Sequence, residues 1–352
     1  MQNKPRIILD CEKLKNPYSG LGQFCFHLGN ALVEEGVPNL TMYAPAASQT
    51  MFGDKVDFLK QKSLHKLFGV PTLPDDIFHA THQTSKYEPS NKQTKYLLTV
   101  HDLNFLYKYS GTKLSSKLKS LQQKIYRASV VTAISHFASQ EIQKHMELKG
   151  KQVHVIHNGN TLNASVSPQK PSWLTNNRPF LFTIGIILPR KNFHTLIPMM
   201  KKLKDFQLII AGDANSEYGK RIFDEVKKSG MDESILMPGK ISDQEKLWLY
   251  QHCSGFLFPS VAEGFGLPVV EAMSLGKPVF VNNATSLPEI AGPNGFYWNN
   301  FDPDEMALVV EKGLATYHSD NLSEKYKAHA AQFSWKNAAK QYAQLYDQLL
   351  KK

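Results

Sequence analysis

The sequence contains little cysteine and no long apolar run. Its 352 residues include only Cys11, Cys25 and Cys253, and no two of them form a CxxC pair. This usage argues against a structural zinc site and favours a reducing compartment. No apolar stretch approaches the roughly 20 residues that a membrane-spanning helix needs, and the run at residues 7–9 is too short for a signal-peptide core. We therefore expect a cytoplasmic protein.

Acidic residues are scarce relative to basic ones. The chain holds 41 lysines and arginines against 31 aspartates and glutamates, which gives a formal net charge of +10. This excess of positive charge favours anionic partners, namely nucleotide diphosphates, anionic lipid surfaces or nucleic acid. No stacked-aromatic or helix-turn-helix signature accompanies the charge, so we predict that the chain binds no nucleic acid.

Hydrophobic residues make up 42 % of the chain, enough for a folded core in each of two domains. Both halves show the order strand, loop, helix that begins a Rossmann-like unit. In the first half, an apolar run at residues 6–9 precedes a loop with Gly20 and Gly22 and a helical pattern over residues 24–35. A glycine turn before a helix also occurs without any ligand, so this motif alone leaves both interpretations open.

The second half restarts this order with an apolar run at residues 180–185. Residues 161–178 are rich in Pro, Ser and Asn and show little periodicity, which is typical of a linker. We accordingly predict an N-terminal acceptor domain at residues 1–165, a donor domain at 179–334 and a C-terminal helix at 335–352.

Two glutamates that stand eight residues apart, Glu263 and Glu271, frame a glycine-bearing loop. An apolar run at 255–259 precedes the loop as a predicted strand, and residues 269–275 follow as a predicted helix. The start of a helix presents backbone N–H groups that suit a phosphate, and a carboxylate suits sugar hydroxyls because it only accepts hydrogen bonds. A diphosphate with a sugar at each end would use the whole stretch. An ordinary loop with two solvated glutamates is the alternative.

Two further loops carry polar residues at the end of a predicted strand. Arg190 and Lys191 follow the strand at 180–185, and a guanidinium fork beside an ammonium suits a diphosphate. His101 and Asp102 follow another predicted strand, at the position where ligands bind in open α/β sheets. Taken singly, each motif has another interpretation. The two cations are equally typical of a surface loop, and the histidine is equally typical of a residue that is hydrogen-bonded within a turn.

Residues 108–129 form the most basic stretch, with six lysines and arginines and no acid. Leu114, Leu118, Leu121 and Ile125 recur at helical spacing, which predicts an amphipathic helix with a cationic face. Such a face docks to anionic lipid headgroups or is simply solvated. A peripheral contact with the inner face of the cytoplasmic membrane is therefore one of two open interpretations.

Three blocks of the chain resemble family 4, or group 1, of the glycosyltransferases. Residues 259–279, which contain both glutamates, resemble the signature of that family. Residues 185–192 and 100–105 resemble its G-x-x-x-x-R-K-N and His-Asp motifs. The resemblance implies the GT-B fold, in which two Rossmann-like α/β domains face each other across a cleft and a C-terminal helix crosses back to the N-terminal domain.

The resemblance also implies the roles of individual residues. The implied catalytic residues are His101, Asp102 and Glu263. The implied donor-binding residues are Gly20, Gly22, Arg190, Lys191, Ile241, Gly264, Phe265, Gly266, Leu267 and Glu271. Among them, Glu271 would bind the donor ribose, Glu263 would contact the transferred sugar, and the two cations would hold the diphosphate. The histidine would contact a sugar hydroxyl with the aspartate supporting it, and Ile241 would meet the nucleobase.

The predicted reaction is transfer of a hexosyl unit, mannosyl or glucosyl, from a nucleotide-diphosphate sugar to a glycan or lipid-linked acceptor with retention of configuration. GDP or UDP is the expected nucleotide, and surface polysaccharide or lipopolysaccharide synthesis is the expected setting. No cofactor or metal is predicted, because no D-x-D stands between strand-like runs and the two cations can neutralise the leaving diphosphate. The alternatives are a nucleotide-sugar epimerase or hydrolase of the same fold and a non-catalytic nucleotide-sugar-binding subunit.

Overall fold

A computed structural model describes residues 4–163 and 165–351. The chain divides into unit 1, which comprises Met1–Gly159 with Phe333–Lys352, and unit 2, which comprises Asn160–Gln332. Each unit is built on one parallel β-sheet whose strands alternate with helices. This architecture confirms the predicted fold class of two Rossmann-like α/β domains. Among the described residues, no helix is long and apolar enough to cross a membrane.

The sheet of unit 1 is parallel throughout its described strands. These strands are β1 (Ile7–Asp10), β2 (Leu40–Ala44), β3 (Asp57–Lys60), β4 (Ile77–Ala80), β5 (Lys95–Val100), β6 (Val130–Ala133) and β7 (Val153–Val155). Their order in the sheet is β3-β2-β1-β4-β5-β6-β7, with Ile7 opposite Ile77. The order reverses direction between β1 and β4, so the loops that leave these two strands meet at the carboxyl edge of the sheet.

The described part of unit 1 has five α-helices before its C-terminal helix, and those that the sequence predicts begin close to the expected residue with one exception. They are α1 (Gly20–Glu34), α2 (His65–Phe68), α3 (Phe105–Lys108), α4 (Gly111–Arg127) and α5 (His136–His145). Ser135 caps α5 as predicted. The exception is α1, which the sequence predicts from Phe24. Its N-cap is Ser19, whose hydroxyl accepts from the Gly22 amide at 3.1 Å, so Gly20 and Gly22 lie in the first turn of the helix.

The strand β3 and the helix α2 lie in residues 51–74, for which the sequence predicts no regular structure. Strand β3 has only half-buried or exposed side chains, because it is the edge strand of the sheet. An edge strand that is open to solvent needs few apolar residues, so its sequence pattern is weak.

The helix α4 confirms the predicted amphipathic helix, but one lysine of its cationic face is assigned wrongly. Lys124 is buried, and its Nζ donates to the carbonyl of Ser85. The side chains of Lys113, Lys117 and Lys119 are exposed as predicted. Lys124 tolerates burial because a backbone carbonyl inside the unit accepts a hydrogen bond from its ammonium group.

The sheet of unit 2 is also parallel, and the order in which its strands follow one another along the sheet reverses at its centre. Its described strands are β8 (Phe180–Ile184), β9 (Gln207–Ala211), β10 (Ile235–Gly239), β11 (Gly255–Phe258), β12 (Val279–Asn282) and β13 (Phe296–Trp298). Their order is β10-β9-β8-β11-β12-β13. The reversal lies between β8 and β11, so the loop at 185–192 and the loop at 259–266 leave adjacent strands at the same edge.

The helices of unit 2 complete the alternation of strand and helix. They are α6 (Leu196–Met200), α7 (Glu217–Lys228), α8 (Asp243–His252), α9 (Leu267–Ser274), α10 (Leu287–Ala291), α11 (Pro303–Ser319) and α12 (Ser323–Ala330). Helix α9 begins directly after Gly266, whose φ of 124° is a conformation that other residues rarely adopt. Residues 161–178, the predicted linker, belong to unit 2.

The C-terminal helix α13 (Trp335–Leu350) belongs to unit 1. His79 on β4 is hydrogen-bonded to the hydroxyl of Tyr346 at 2.7 Å, and Thr99 on β5 to that of Tyr342 at 3.1 Å. All four side chains are buried. The helix and the sheet therefore satisfy each other's polar atoms inside the core. The predicted return of the last helix to the N-terminal domain is confirmed.

Candidate active site

Polar side chains from two loops converge at the carboxyl edge of the unit 2 sheet. Lys191 Nζ lies 2.6 Å and Arg190 Nη1 3.2 Å from the same atom, Glu263 Oε1. The hydroxyl of Ser260 donates to this oxygen at 2.6 Å. The two cations follow β8, and Ser260 and Glu263 follow β11. The adjacency of these strands is therefore what brings residues about 70 positions apart into contact.

Glu263 is a buried carboxylate held by two positive charges. Burial by itself would raise the pKa of Glu263, but Lys191 and Arg190 outweigh that effect and bring the pKa below its ordinary value. The carboxylate is therefore ionised at neutral pH. The ammonium of Lys191 also lies over the ring of Phe258, 4.4 Å from its centroid. These contacts hold both cations between the two loops, at the carboxyl edge of the unit 2 sheet.

Side-chain hydrogen bonds to backbone carbonyls hold the loop between Glu263 and α9, as well as the residues just before it. The hydroxyl of Ser286 lies 2.7 Å from the Phe265 carbonyl oxygen and 3.1 Å from the Glu263 carbonyl oxygen. Asn282 donates to the Ser260 carbonyl at 3.1 Å. Within the described chain, no side chain caps the start of α9. Its first turn therefore presents the kind of backbone N–H groups that bind an anion.

Glu271 lies on α9 and is oriented by two side chains of α8. The hydroxyl of Tyr250 donates to Oε2 at 2.8 Å, and Lys246 Nζ lies 3.5 Å from Oε1. Thr161 donates a further hydrogen bond to Oε1. A carboxylate can accept about four hydrogen bonds, so these contacts orient Glu271 and leave it capacity for a ligand hydroxyl. Ile241 is half-buried and stands at the start of α8, just before its capping residue.

In unit 1, His101 lies at the carboxyl edge of the sheet as a buried, neutral imidazole. Its Nε2 donates to the Thr81 carbonyl at 2.8 Å, and its ring packs edge-on against Phe24 of α1 at 4.6 Å. Because a carbonyl only accepts, Nε2 carries the proton and Nδ1 is the acceptor atom. Burial lowers the pKa of His101 to about 3. Toward a ligand hydroxyl, this histidine therefore acts as an acceptor.

Asp102 and the two glycines shape the surroundings of His101. Oδ1 of Asp102 accepts from the Asn104 amide at 2.9 Å, which holds the turn after the histidine. A Cβ atom at Gly22 would lie 2.2 Å from a backbone oxygen, whereas one at Gly20 would have no atom within 4 Å. Packing thus requires a glycine at 22, and the glycine at 20 faces open space.

The sequence did not predict a buried polar cluster at the ends of β1 and β4. His82 Nε2 lies 3.0 Å from Glu12 Oε1, and the hydroxyl of Ser85 donates to Asp10 Oδ2 at 2.5 Å. Burial raises the pKa of Asp10 to about 7. Burial also opposes ionisation of Glu12, but His82 and a neighbouring lysine lower the pKa of Glu12 to about 2. The available signal was the one used for His101, a polar residue directly after a predicted strand.

The sequence that forms this site was compared with known protein families. Residues 167–333 match the model of the family described as glycosyl transferases group 1. This match covers just under half of the chain. The matched residues include the two loops that carry Arg190, Lys191 and Glu263, as well as the helix that carries Glu271. The predicted family is thereby confirmed.

Among its relatives is the serotype-specific mannosyltransferase WbdA of Escherichia coli, which is 30 % identical over 230 residues. These residues are 60 % of this chain but 28 % of WbdA, so the chain spans little more than a quarter of that relative. The O-antigen chain mannosyltransferase B of Escherichia coli is 24 % identical and aligns over 97 % of this chain and 99 % of its own length.

Solved structures share the fold of this chain over nearly its full length. Sucrose-phosphate synthase from Thermosynechococcus elongatus has a TM-score of 0.76 and 19 % identity, covering 99 % of this chain and 100 % of its own. Anabaena HepE in complex with UDP and glucose has a TM-score of 0.74 and 18 % identity, covering 97 % and 99 %. At these identities the likeness establishes the fold alone, which is the predicted GT-B fold.

Several contact residues of the site were not predicted. Ser260 lies inside the block that resembles the family signature, so its position carried a signal. Thr161, Lys246 and Tyr250 come from segments distant in sequence, and only the folded structure shows that they reach Glu271. No periodicity or motif could have indicated these contacts.

Proposed function

We propose that the chain transfers a hexosyl unit, mannosyl or glucosyl, from a nucleotide-diphosphate sugar to a glycan or lipid-linked acceptor in surface polysaccharide or lipopolysaccharide synthesis. One observation carries the proposal. Arg190 and Lys191 converge on Glu263, with the second glutamate in the helix that follows. Two relatives, both mannosyltransferases of Escherichia coli, support the choice of mannosyl.

The two cations would hold the donor diphosphate. In the ligand-free chain their positive charges are directed at Glu263. A diphosphate of GDP or UDP is a stronger anion, and it can share both cations with this carboxylate. The guanidinium of Arg190 offers a fork for two phosphate oxygens, and Lys191 offers a point charge. The backbone of residues 264–267 at the start of α9 supplies further donors.

The two glutamates would bind the sugars at either end of the diphosphate. Glu271, held by α8, accepts hydrogen bonds from the ribose hydroxyls, and the backbone near Ile241 meets the nucleobase. Glu263 contacts the hydroxyls of the transferred sugar. Hydrogen-bond chemistry favours a carboxylate for each sugar, because an ionised carboxylate accepts from hydroxyls and repels phosphate. Which glutamate binds which sugar is what the resemblance to the family implies.

The transfer would proceed with retention and without a metal. The bond between the anomeric carbon and the diphosphate oxygen breaks, and the acceptor oxygen bonds to that carbon on the same face. The leaving diphosphate oxygen takes the acceptor proton, while Arg190 and Lys191 stabilise its developing charge. We do not assign Glu263 as a nucleophile, because the resemblance to the family implies this same-face mechanism; Lys191, Arg190 and Ser260 all contact its Oε1. His101 accepts a hydrogen bond from a sugar hydroxyl, with Asp102 holding the adjacent turn.

The chain would work at the inner face of the cytoplasmic membrane. The exposed lysines of α4 support a peripheral contact between residues 108–129 and anionic headgroups. A lipid-linked acceptor would be presented at such a surface.

Calorimetric titration with GDP, UDP and ADP, in the presence of EDTA, tests the donor site. We expect one nucleotide to bind, and we expect Arg190→Ala to weaken it. Lys220→Ala, which removes an exposed lysine of α7, is the control and should change nothing. A folded chain that binds none of the three nucleotides would contradict the proposal. Turnover of the matching nucleotide sugar, with the anomeric configuration of the product read by NMR, then tests retention.

A further inference from the structure

Four large apolar side chains within residues 60–73, here called the 60–73 segment, are exposed to solvent. Leu67 is 80 % exposed, Phe68 74 %, Leu64 61 % and Leu73 43 %. Single exposed apolar residues are ordinary on protein surfaces. A group of them within ten residues indicates an interaction site. The proposed donor chemistry uses none of these residues.

The 60–73 segment is anchored to the body of unit 1. The imidazole of His65 is hydrogen-bonded at 3.0 Å to the hydroxyl of Tyr43, a fully buried residue. Buried Val70 exchanges backbone hydrogen bonds with Glu88 and Ser90, both at 2.8 Å. Hydrogen bonds to buried parts of unit 1 therefore hold the segment in place, while the side chains of Lys66, Leu67 and Phe68 are exposed.

The charged side chains within the segment are all lysines, and the acids nearest to it in sequence are the exposed Asp57 and Asp75 that flank it. Lys60, Lys62 and Lys66 are exposed within the segment, and no aspartate or glutamate occurs in residues 58–74. The segment also lies beside the basic helix α4, because residues 85–90 contact both. Lys66 lies over the ring of Tyr87 at 5.7 Å, and Arg127 of α4 pairs with Glu88 at 2.6 Å.

We propose that the 60–73 segment is a membrane-docking surface that inserts its apolar side chains into an anionic lipid leaflet. The acyl chains bury Leu64, Leu67 and Phe68, and the headgroup phosphates pair with the surrounding lysines. Every charged side chain within the segment is a lysine, and exposed apolar side chains together with lysines fit an anionic lipid surface, whose charges are of one sign. The inference rests on the membrane contact proposed above for α4, to which it adds an apolar anchor.

Co-sedimentation of the full chain with vesicles tests the surface. The vesicles contain phosphatidylglycerol and phosphatidylethanolamine, and vesicles of phosphatidylcholine serve as the uncharged comparison. We expect the chain to bind the anionic vesicles and Leu67→Ser/Phe68→Ser to lower the partition coefficient about tenfold or more. The matched control is Leu308→Ser, at a side chain of unit 2 that is 47 % exposed. It should change binding by less than about twofold.

A second measurement reports insertion directly. Cys11, Cys25 and Cys253 are buried, so Leu67→Cys can be labelled selectively with an environment-sensitive fluorophore. We expect the emission to shift to the blue on addition of anionic vesicles, and that of labelled Leu308→Cys to stay unchanged.

Five outcomes would overturn the proposal. The chain fails to bind anionic vesicles, or Leu67→Ser/Phe68→Ser binds as well as the unaltered chain. Binding is lost equally in Leu308→Ser, or the double variant converts a self-associating chain into a monomer without vesicles, which would assign the surface to a second copy. If Lys117→Gln/Lys119→Gln alone abolishes binding, α4 is the contact and the 60–73 segment is not. No nucleotide sugar is present, so these results are independent of the donor site and its titration.

Discussion

Removal of Lys191 tests the arrangement of the donor site most directly. The ammonium lies 2.6 Å from Glu263 Oε1, and the side chain is 8 % exposed. Lys191→Met keeps much of the volume and removes the charge. Breaking a buried ion pair costs about 3–5 kcal/mol, but Arg190 and Ser260 remain on the carboxylate. We therefore expect a loss of unfolding free energy of about 2–3 kcal/mol, the value of a hydrogen bond to a charged group.

Arg190→Gln provides the matched comparison at the same carboxylate. Its side chain is 39 % exposed and its Nη1 lies 3.2 Å from the oxygen, so its removal should cost about 1 kcal/mol or less. Both variants should nevertheless lower turnover by about 10²- to 10³-fold, because each removes one positive charge from the leaving diphosphate. The two variants thus differ in stability and agree in activity.

Urea denaturation followed by tryptophan fluorescence measures the stability difference. Trp173, Trp248 and Trp298 lie in unit 2, and only Trp335 lies in unit 1, so the signal reports mainly on the unit that holds the site. The double variant Lys191→Met/Glu263→Gln should lose less stability than the sum of its single variants, by about 1.5–3 kcal/mol. Its activity should not recover.

The reasoning would be refuted by either of two results. Additive stability losses would mean that Lys191 and Glu263 do not interact in solution as they do in this structure. Normal turnover of Lys191→Met and Arg190→Gln with the correct donor would mean that neither cation serves the diphosphate.

Three further perturbations address the ribose site, the glycine turn and a buried acid. Glu271→Ala should weaken nucleotide binding about 10- to 100-fold with little change in turnover at saturation, measured by calorimetry and steady-state kinetics. Gly22→Ala should cost more than about 2 kcal/mol in urea denaturation because of its backbone clash. Gly20→Ala should leave stability unchanged and lower only ligand affinity. Burial raises the pKa of Asp10 from 3.8 to about 7. Its stabilisation is therefore present at low pH and lost as the pH rises through about 7, and Asp10→Asn should flatten the unfolding free energy over that range.

Each of these expectations has a contrary result. Unchanged nucleotide affinity in Glu271→Ala would remove this residue from the donor site. Equal stability losses in Gly20→Ala and Gly22→Ala would contradict the difference in their surroundings. A pH profile of Asp10→Asn that parallels the unaltered chain would show that Asp10 does not hold a proton in the folded state.

The sequence by itself determined the order of strands and helices and the family. The strands at residues 180–184 and 255–258 are short apolar runs that end at a glycine or a proline, and such local patterns reflect burial within parallel sheets. The terminal helix is visible from its amphipathic spacing alone. The block that contains Glu263 and Glu271 also placed both glutamates correctly relative to their strand and helix.

Where local signals were weak, prediction from the sequence failed. The first turn of α1 is Gly20-Leu-Gly22, and glycine is a poor helix former, so the helix was placed one turn late. The edge strand β3 has no fully buried side chain and was missed. Lys124 was assigned to the cationic face of α4, because the carbonyl that accepts its hydrogen bond, that of Ser85, lies 39 positions away in the chain.

Only the tertiary structure decided which distant side chains share one site. The adjacency of β8 and β11 brings Arg190 and Lys191 onto Glu263, and the packing of α8 against α9 brings Lys246 and Tyr250 onto Glu271. These contacts depend on strand order and helix packing, which result from burial summed over a whole unit. Local periodicity records which face of an element is buried, but it carries no information about the element that covers that face.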